Sequence, residues 1–491
     1  MMSTIALTLT RHVTRFAGRL DELDRRAWVM LPMTLGLALV VVRNEGFPMP
    51  VLLAGLGVLA AGLWHWCRKS PELSLYVLAA YMPFSHALVG DFGGEIPGFN
   101  LTNVLLAWTV FTYVLSRRHA SGPRAPLSGL HLVLLVYLGM CLMSLIWAGW
   151  TYGGWYWREQ LIPLKRFLVP VSMAFLAYWI VRDVRTLKTV LAVMMVSVAV
   201  IALASAYEYM DRGGGTFNHS RVGAIASDPN VLGAFFVTYM FLFAALLLER
   251  PKEPQGWAMI LPFLLCARGI MVTFSRGAYV AFAAAALALS WFKSKRLFLA
   301  ALAVGALAVL NPVLLPSGIR YRMGQTLEQK PQANEADLVD RLEPSAGNRL
   351  VIWRGAVAMI REHPLRGVGF GAFPEFLTQY TDGEMGYKDA HNIYLRIAGE
   401  LGLPALLVFL GFLGMAGRMA WRVYRRSGDP VIRALGLGFL AGLVGLCVSN
   451  SFSSSLWVQE MSAYFWILCG LVARAAQFQV GSLKLEARSW N

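Results

Sequence analysis

His391 stands where a long polar segment gives way to an apolar run, in the stretch 389–396 that reads DAHNIYLR. The helix expected to begin there would place its positive end against the imidazole. That favours the neutral ring, the form a general base needs near pH 7. Asp389 is expected to cap this helix. Arg221, Arg276 and Arg349 lie in three different connectors. Guanidinium groups bind phosphate through paired hydrogen bonds, so three of them beside one base point to an anionic ligand and a proton transfer. Any one arginine could instead snorkel to lipid head groups. On the run after His391, Arg396 and Glu400 are four residues apart and read first as an ion pair. With Asn392, and with Lys165 and Arg166 at the head of an earlier apolar run, they complete the candidate substrate-binding residues.

Other chemistries find no pattern here. The sequence has no phosphate-binding loop of the Gly-Lys-Ser type, no His-Glu-x-x-His pair and no nucleophile elbow. The run 367–371, GVGFG, resembles a dinucleotide loop only superficially, because no strand precedes it. A magnesium enzyme would want paired external acids. Asp91 with Glu95 and Asp382 with Glu384 are the available pairs, and neither spacing is diagnostic. No metal and no cofactor is expected.

The elements that must position these residues are membrane helices. Only 15% of the 491 residues are charged and 57% are hydrophobic, against roughly a quarter charged in soluble domains. Repeated apolar runs near membrane-spanning length predict an all-α, polytopic helix bundle of about 12–14 spans. The runs lie near 28–42, 49–66, 73–90, 101–116, 129–149, 162–181, 187–207, 230–248, 257–274, 277–292, 297–316, 392–415, 431–450 and 456–477. Arg268 and Arg276 make the 257–292 region ambiguous. The expected division is an N-terminal bundle (1–207), a core with external arginines (208–316), a long loop (317–390) and C-terminal helices (391–491).

The net charge of +16 falls mostly in short alternate connectors, which sets topology and does not suggest nucleic acid. Arg68 and Lys69, Arg117 and Arg118, Arg182 and Arg185, Lys293 and Lys295, and Arg425 and Arg426 share one side. That predicts both termini in the cytoplasm, with Arg221, Arg276, Arg349 and His391 facing out. A chain of this kind has membrane lipids as partners. The five cysteines lie in or beside apolar runs, so no disulfide framework is expected. The basic segment before the first apolar run has no clear cleavage site and reads as a retained anchor.

Two external segments stand out. Around 208–229, glycines and Asp228-Pro229 predict a shaped turn before a helix. In the long loop, 325–347 is polar and poorly periodic. From Asn348, by contrast, Arg349, Trp353, Ala356 and Ile360 recur at helical spacing. They predict an amphipathic helix ended by Pro364, a glycine turn, and a second short helix with Phe373 and Phe376. Trp147, Trp150, Tyr152, Trp155, Tyr156 and Trp157 read as an interfacial aromatic belt, with a sugar-stacking platform as the lesser alternative.

Taken in order, these residues resemble the O-antigen ligase and O-antigen polymerase superfamily. The resemblance rests on Arg221-x-Gly223 with Asp228-Pro229-Asn230, and on Ser275-Arg276-Gly277. It continues through Asn348-Arg349 to the His363-Pro364-Leu365-x-Gly367-Val368-Gly369-x-Gly371-x-Phe373 turn, and through His391-Asn392-x-Tyr394-Leu395 with Glu400-x-Gly402. It covers roughly the C-terminal 60% of the chain. It implies a metal-independent inverting glycosyltransferase of the bacterial inner membrane, working at the periplasmic face on a glycan carried by undecaprenyl diphosphate. It further implies that Arg276 and Arg349, with Arg221 as a third candidate, hold the diphosphate while His391 takes the acceptor proton. The acceptor would be lipid A-core for a ligase, or a growing glycan for a polymerase of O-antigen or exopolysaccharide. A protein O-oligosaccharyltransferase, or a transporter (flippase) of the same lipid-linked glycan, are the alternatives. A transporter would predict charges lining a midplane cavity. Here they gather at one face, with Arg268 the main exception.

Overall fold

A computed structural model of the chain describes residues 70–85, 100–118, 125–213, 221–224, 228–315, 317–324 and 344–489. The expected spans 28–42 and 49–66, the end of 73–90 and the loop 325–343 lie outside them. The described residues are α-helical, with no strand among them.

The first half contributes α1 (Pro71–Tyr81), α2 (Leu101–Arg118), α3 (Gly129–Tyr152), α4 (Gly154–Ile180) and α5 (Val184–Asp211). The core adds α6 (Pro229–Tyr239), α7 (Phe241–Glu249), α8 (Pro254–Ala258), α9 (Ile260–Thr273), α10 (Arg276–Lys293) and α11 (Lys295–Leu310). The long loop carries α12 (Ser317–Gly324), α13 (Pro344–Glu362) and α14 (Phe373–Phe376). The chain returns through α15 (Ile393–Leu401), α16 (Leu403–Arg426), α17 (Pro430–Ser449) and α18 (Gln459–Ser489).

Eight helices among the described residues are long and apolar enough to cross a membrane: α3, α4, α5, α6 continued by α7, α8 continued by α9, α16, α17 and the first two thirds of α18. The expected spans 101–116, 277–292 and 297–316 are helical as α2, α10 and α11 but are not among these eight. Two physical reasons are visible: α10 has Arg276 and Lys293 at its two ends, and α11 is only 16 residues long.

One expectation needs correction. The run 392–415 is not one helix, because Gly402, at φ +85°, separates α15 from α16. A side chain at Gly402 would collide with the backbone of Leu365 and Arg366, so the glycine turn of the long loop is wedged into the break. The aromatic segment 150–157, between the expected spans 129–149 and 162–181, is helical. Only Gly153, at φ +93°, interrupts the helix there. Trp150 and Trp155 are exposed, as a belt requires, whereas Tyr156 is fully buried.

α17 is the central post and packs against α6, α7, α10 and α16. Its glycines allow this closeness. Gly438 lies against Leu242, Gly442 against the carbonyl of Thr238 and Gly445 against Val237, leaving no room for a Cβ. Small residues let helix backbones approach where lipid offers no hydrophobic drive between helices. At the end of the bundle away from His391, Glu249 accepts from Lys293 (2.7 Å) and Arg433 (2.6 Å), and Lys188 pairs with Asp429 at 2.7 Å. These pairs tie α7 to α10 and α17, and α5 to the head of α17.

Candidate functional site

At the other end of the bundle, helix termini and connectors surround an open cleft of roughly 450 Å³. The chain reaches it by breaking regular structure at each contributing point. Phe274 ends α9 in a left-handed turn at φ +50°, and Ser275 begins α10. Asp228 caps α6 by accepting from the Asn230 amide at 2.7 Å, with Pro229 at the first helical position. The cleft is lined by Arg221 and Asn230, by 274–278, by Ser345 and Arg349 of α13, and by Ser449, Phe452 and Ser453 after α17. The structure therefore brings Arg221, Arg276 and Arg349 into one place from three separate segments.

Among the described residues, no Asp or Glu lines this cleft. Its arginines are supplemented by hydroxyls and by the first turn of α10, the positive end of that helix. Arg221 is oriented before any ligand arrives. Its Nε donates to the Thr273 carbonyl (3.0 Å) and its Nη2 to Asn230 Oδ1 (3.2 Å). Its own carbonyl accepts from Arg212 at 3.0 Å. Among the described residues, no group of three or more His, Cys, Asp or Glu is placed to hold a metal ion.

His391 is not among the residues that line the cleft, but it lies close enough to Arg349 and to Asp228 for their charges to act on its ring. It is half-buried and adopts φ +49°, a left-handed conformation uncommon for a side-chain-bearing residue. Burial, reinforced by Arg349 and Lys388, lowers the imidazole pKa below its ordinary value, against the opposite pull of Asp389 and Asp228. The expected neutral ring is thus favoured chiefly by desolvation. The capping expectation needs correction: Asn392, not Asp389, caps α15, accepting from the amides of Tyr394 (3.0 Å) and Leu395 (3.1 Å).

The segment bearing His391 is held from several sides. Trp353 Nε1 of α13 donates to the Ala390 carbonyl at 3.0 Å. The Ile393 amide donates to the Asn450 carbonyl at 2.9 Å, and the Tyr394 hydroxyl to the Cys447 carbonyl at 2.8 Å. The amphipathic helix α13 buries Ile352, Ala356 and Met359 against α15 and the turn after α14, so its apolar face covers protein. Beyond it, the glycine turn stitches the loop to the bundle. The Val368 and Gly369 amides donate to the Gly399 and Glu400 carbonyls (2.8 and 2.9 Å). The Tyr152 and Tyr156 hydroxyls donate to the Val368 and Phe370 carbonyls.

None of the remaining candidates, Asn392, Arg396, Glu400, Lys165 and Arg166, lines the cleft. Arg396 and Glu400 pair at 3.0 Å beneath His391, and Glu400 is fully buried. Lys165 is half-buried and Arg166 exposed on α4. The sequence reading missed the connector 449–457. It supplies Ser449, Phe452 and Ser453 to the cleft, the Asn450 carbonyl to α15, and Trp457, over which Arg396 stacks at 4.6 Å. The available signal was a run of serines and one asparagine between two apolar spans.

No curated protein matches the chain. The family model described as O-antigen ligase matches residues 261–410, from α9 into α16, and so includes Arg276, Arg349 and His391 while Arg221 lies before it. Residues 261–410 of this all-α membrane chain are thus similar to the O-antigen ligase family, which supports the superfamily resemblance read from the sequence motifs.

Proposed function

We propose that the protein transfers a glycan from undecaprenyl diphosphate to an acceptor hydroxyl at the periplasmic face of the inner membrane, with lipid A-core as the acceptor in the manner of an O-antigen ligase. The observation that carries this reading is the convergence of Arg221, Arg276 and Arg349 in one cleft, with no Asp or Glu among its described lining residues and with His391 within electrostatic reach of Arg349. In the reaction the acceptor oxygen attacks the anomeric carbon. The bond from that carbon to the diphosphate oxygen breaks, and the lipid diphosphate departs with the electron pair. The acceptor proton passes to His391 Nδ1 or Nε2.

Each role has a physical basis. Charge grows on the departing diphosphate, and guanidinium groups already oriented toward it stabilise the transition state more than the ground state. Arg221, braced by Thr273 and Asn230, needs little reorganisation to act this way. His391, neutral at physiological pH because burial lowers its pKa, can accept a proton without first losing one. Attack from the face opposite the diphosphate inverts the anomeric centre. Three cations take the part a divalent ion would otherwise play, so the transfer runs without metal.

The test uses purified protein in lipid nanodiscs with an undecaprenyl-diphosphate glycan. It offers lipid A-core or a second lipid-linked glycan as acceptor, with and without a chelator. Inverted transfer to lipid A-core that survives chelation supports the reading. Chain extension of the lipid-linked glycan alone would replace the ligase reading by a polymerase one, and abolition by chelator would overturn the mechanism.

A further inference from the structure

Three charged residues below the cleft touch no part of it and form one chain that ends on His391. Asp389 Oδ2 accepts the backbone amide of His391 at 2.9 Å. Its other oxygen, Oδ1, accepts from Arg396 Nη1 at 2.7 Å. Arg396 Nε in turn donates to Glu400 Oε1 at 3.0 Å, and its guanidinium lies over Trp457 at 4.6 Å. Glu400 is fully buried, and its Oε2 has no hydrogen-bond partner among the described residues. The Gly371 amide faces the same carboxylate, so the chain also reaches the glycine turn of the long loop.

A buried charge with one unsatisfied oxygen is costly for the fold. A structural pair alone would not need Asp389, which adds a third charge, lies beside the Ser454 hydroxyl and accepts a backbone amide. That amide belongs to the residue at φ +49°. Aspartate accepting from the amide two residues on is the local device that favours such a turn. Left-handed backbone at a residue with a side chain persists only when its surroundings over-determine it.

We propose that Asp389, Arg396 and Glu400 are positioning residues for His391: Asp389 grips the left-handed turn, Arg396 fixes the Asp389 carboxylate, and Glu400 anchors Arg396 to the rigid glycine turn. The inference rests on the reading of His391 as the base. It assigns these three residues no contact with substrate. Displacing a reacting group by about 1 Å can cost about 100-fold in rate, so the chain acts on kcat and leaves KM for the donor unchanged.

The test compares Asp389→Asn with Asp389→Ala in nanodiscs, measuring kcat, KM, thermal unfolding and the His391 pKa by NMR of labelled histidine. Asparagine keeps an oxygen for the His391 amide, whereas alanine does not. Alanine is expected to lower kcat about 100-fold at unchanged KM, and asparagine to restore most of it. Both variants lower the His391 pKa, because the carboxylate that raises it is gone while Arg349 of α13, Asp228 at the head of α6 and Lys388 remain. Equal loss in the two variants would overturn the turn-gripping role. An unmoved His391 pKa would overturn the contact itself, whether or not the protein is active. If His391→Ala abolishes transfer while Asp389→Ala leaves kcat intact, the positioning chain fails and the base survives. If His391→Ala is fully active, the functional reading fails first.

Discussion

Replacing Gly369 with alanine attacks the joint between the long loop and the membrane bundle. Gly369 adopts φ +121°, a conformation that L residues rarely take. Holding a side-chain-bearing residue there costs about 1–3 kcal/mol. The added Cβ would lie 2.6 Å from Ala148 Cβ and 2.7 Å from the Tyr156 hydroxyl. Neither neighbour can yield. Ala148 is fixed to the buried face of α3, and Tyr156 is pinned by its bond to the Phe370 carbonyl. Overpacking of this kind adds about 1–3 kcal/mol, so the substitution should cost about 2–6 kcal/mol in all. Gly383 is the control. It also has positive φ, at +81°, but a Cβ added there would meet nothing within 4 Å, so Gly383→Ala carries the strain alone. Thermal unfolding in detergent, followed by tryptophan fluorescence, should fall clearly further for Gly369→Ala than for Gly383→Ala. Equal midpoints would refute the wedged glycine turn.

The transfer rate should rise with pH along an acid limb and level off by neutrality, because His391 titrates below its ordinary 6.5. Lys388→Gln removes a cation that lowers this pKa, so the acid limb should move to higher pH; rate measurements from pH 5 to 8 check the sign. The same depression means that the unfolded chain binds the His391 proton more readily than the folded one. Stability contributed at this site is therefore present above the ordinary value and lost as pH falls from there through the lowered folded-state value, which acid-scan unfolding of His391→Gln against the parent would read. Arg276→Ala should reduce kcat by about 100–1000-fold through loss of one cleft cation, read in single-turnover transfer. Trp353→Phe removes one hydrogen bond, worth about 1 kcal/mol, from the Ala390 carbonyl. It should lower kcat several-fold while barely moving the unfolding midpoint.

Hydropathy carried the helices well, because a spanning segment must satisfy its backbone internally and advertises itself as a long apolar run. Breaks inside such runs were harder to read. Gly402 lies between Leu401 and Leu403 in an apolar stretch, and its role depends on the remote Leu365 and Arg366 backbone pressed against it. Phe274 takes left-handed backbone with neither glycine nor asparagine to announce it. Connector charges placed Arg221, Arg276, Arg349 and His391 toward one side, and the structure gathers the three arginines into one cleft. The connector 449–457 stayed silent for the same reason that the arginines spoke: it is uncharged, and its contributions are hydroxyls, one backbone carbonyl and an indole face. Asp389 looked like a helix cap because it stands just before the helix. Only the geometry shows that its two oxygens serve His391 and Arg396 instead.

The central claim is that His391 removes the acceptor proton while the cleft arginines hold the departing diphosphate. Single-turnover transfer by His391→Ala, in nanodiscs loaded with undecaprenyl-diphosphate glycan and lipid A-core, tests it most directly. Donor binding and thermal unfolding should match the parent while glycan transfer is lost. Transfer at the parent rate by this variant would contradict it.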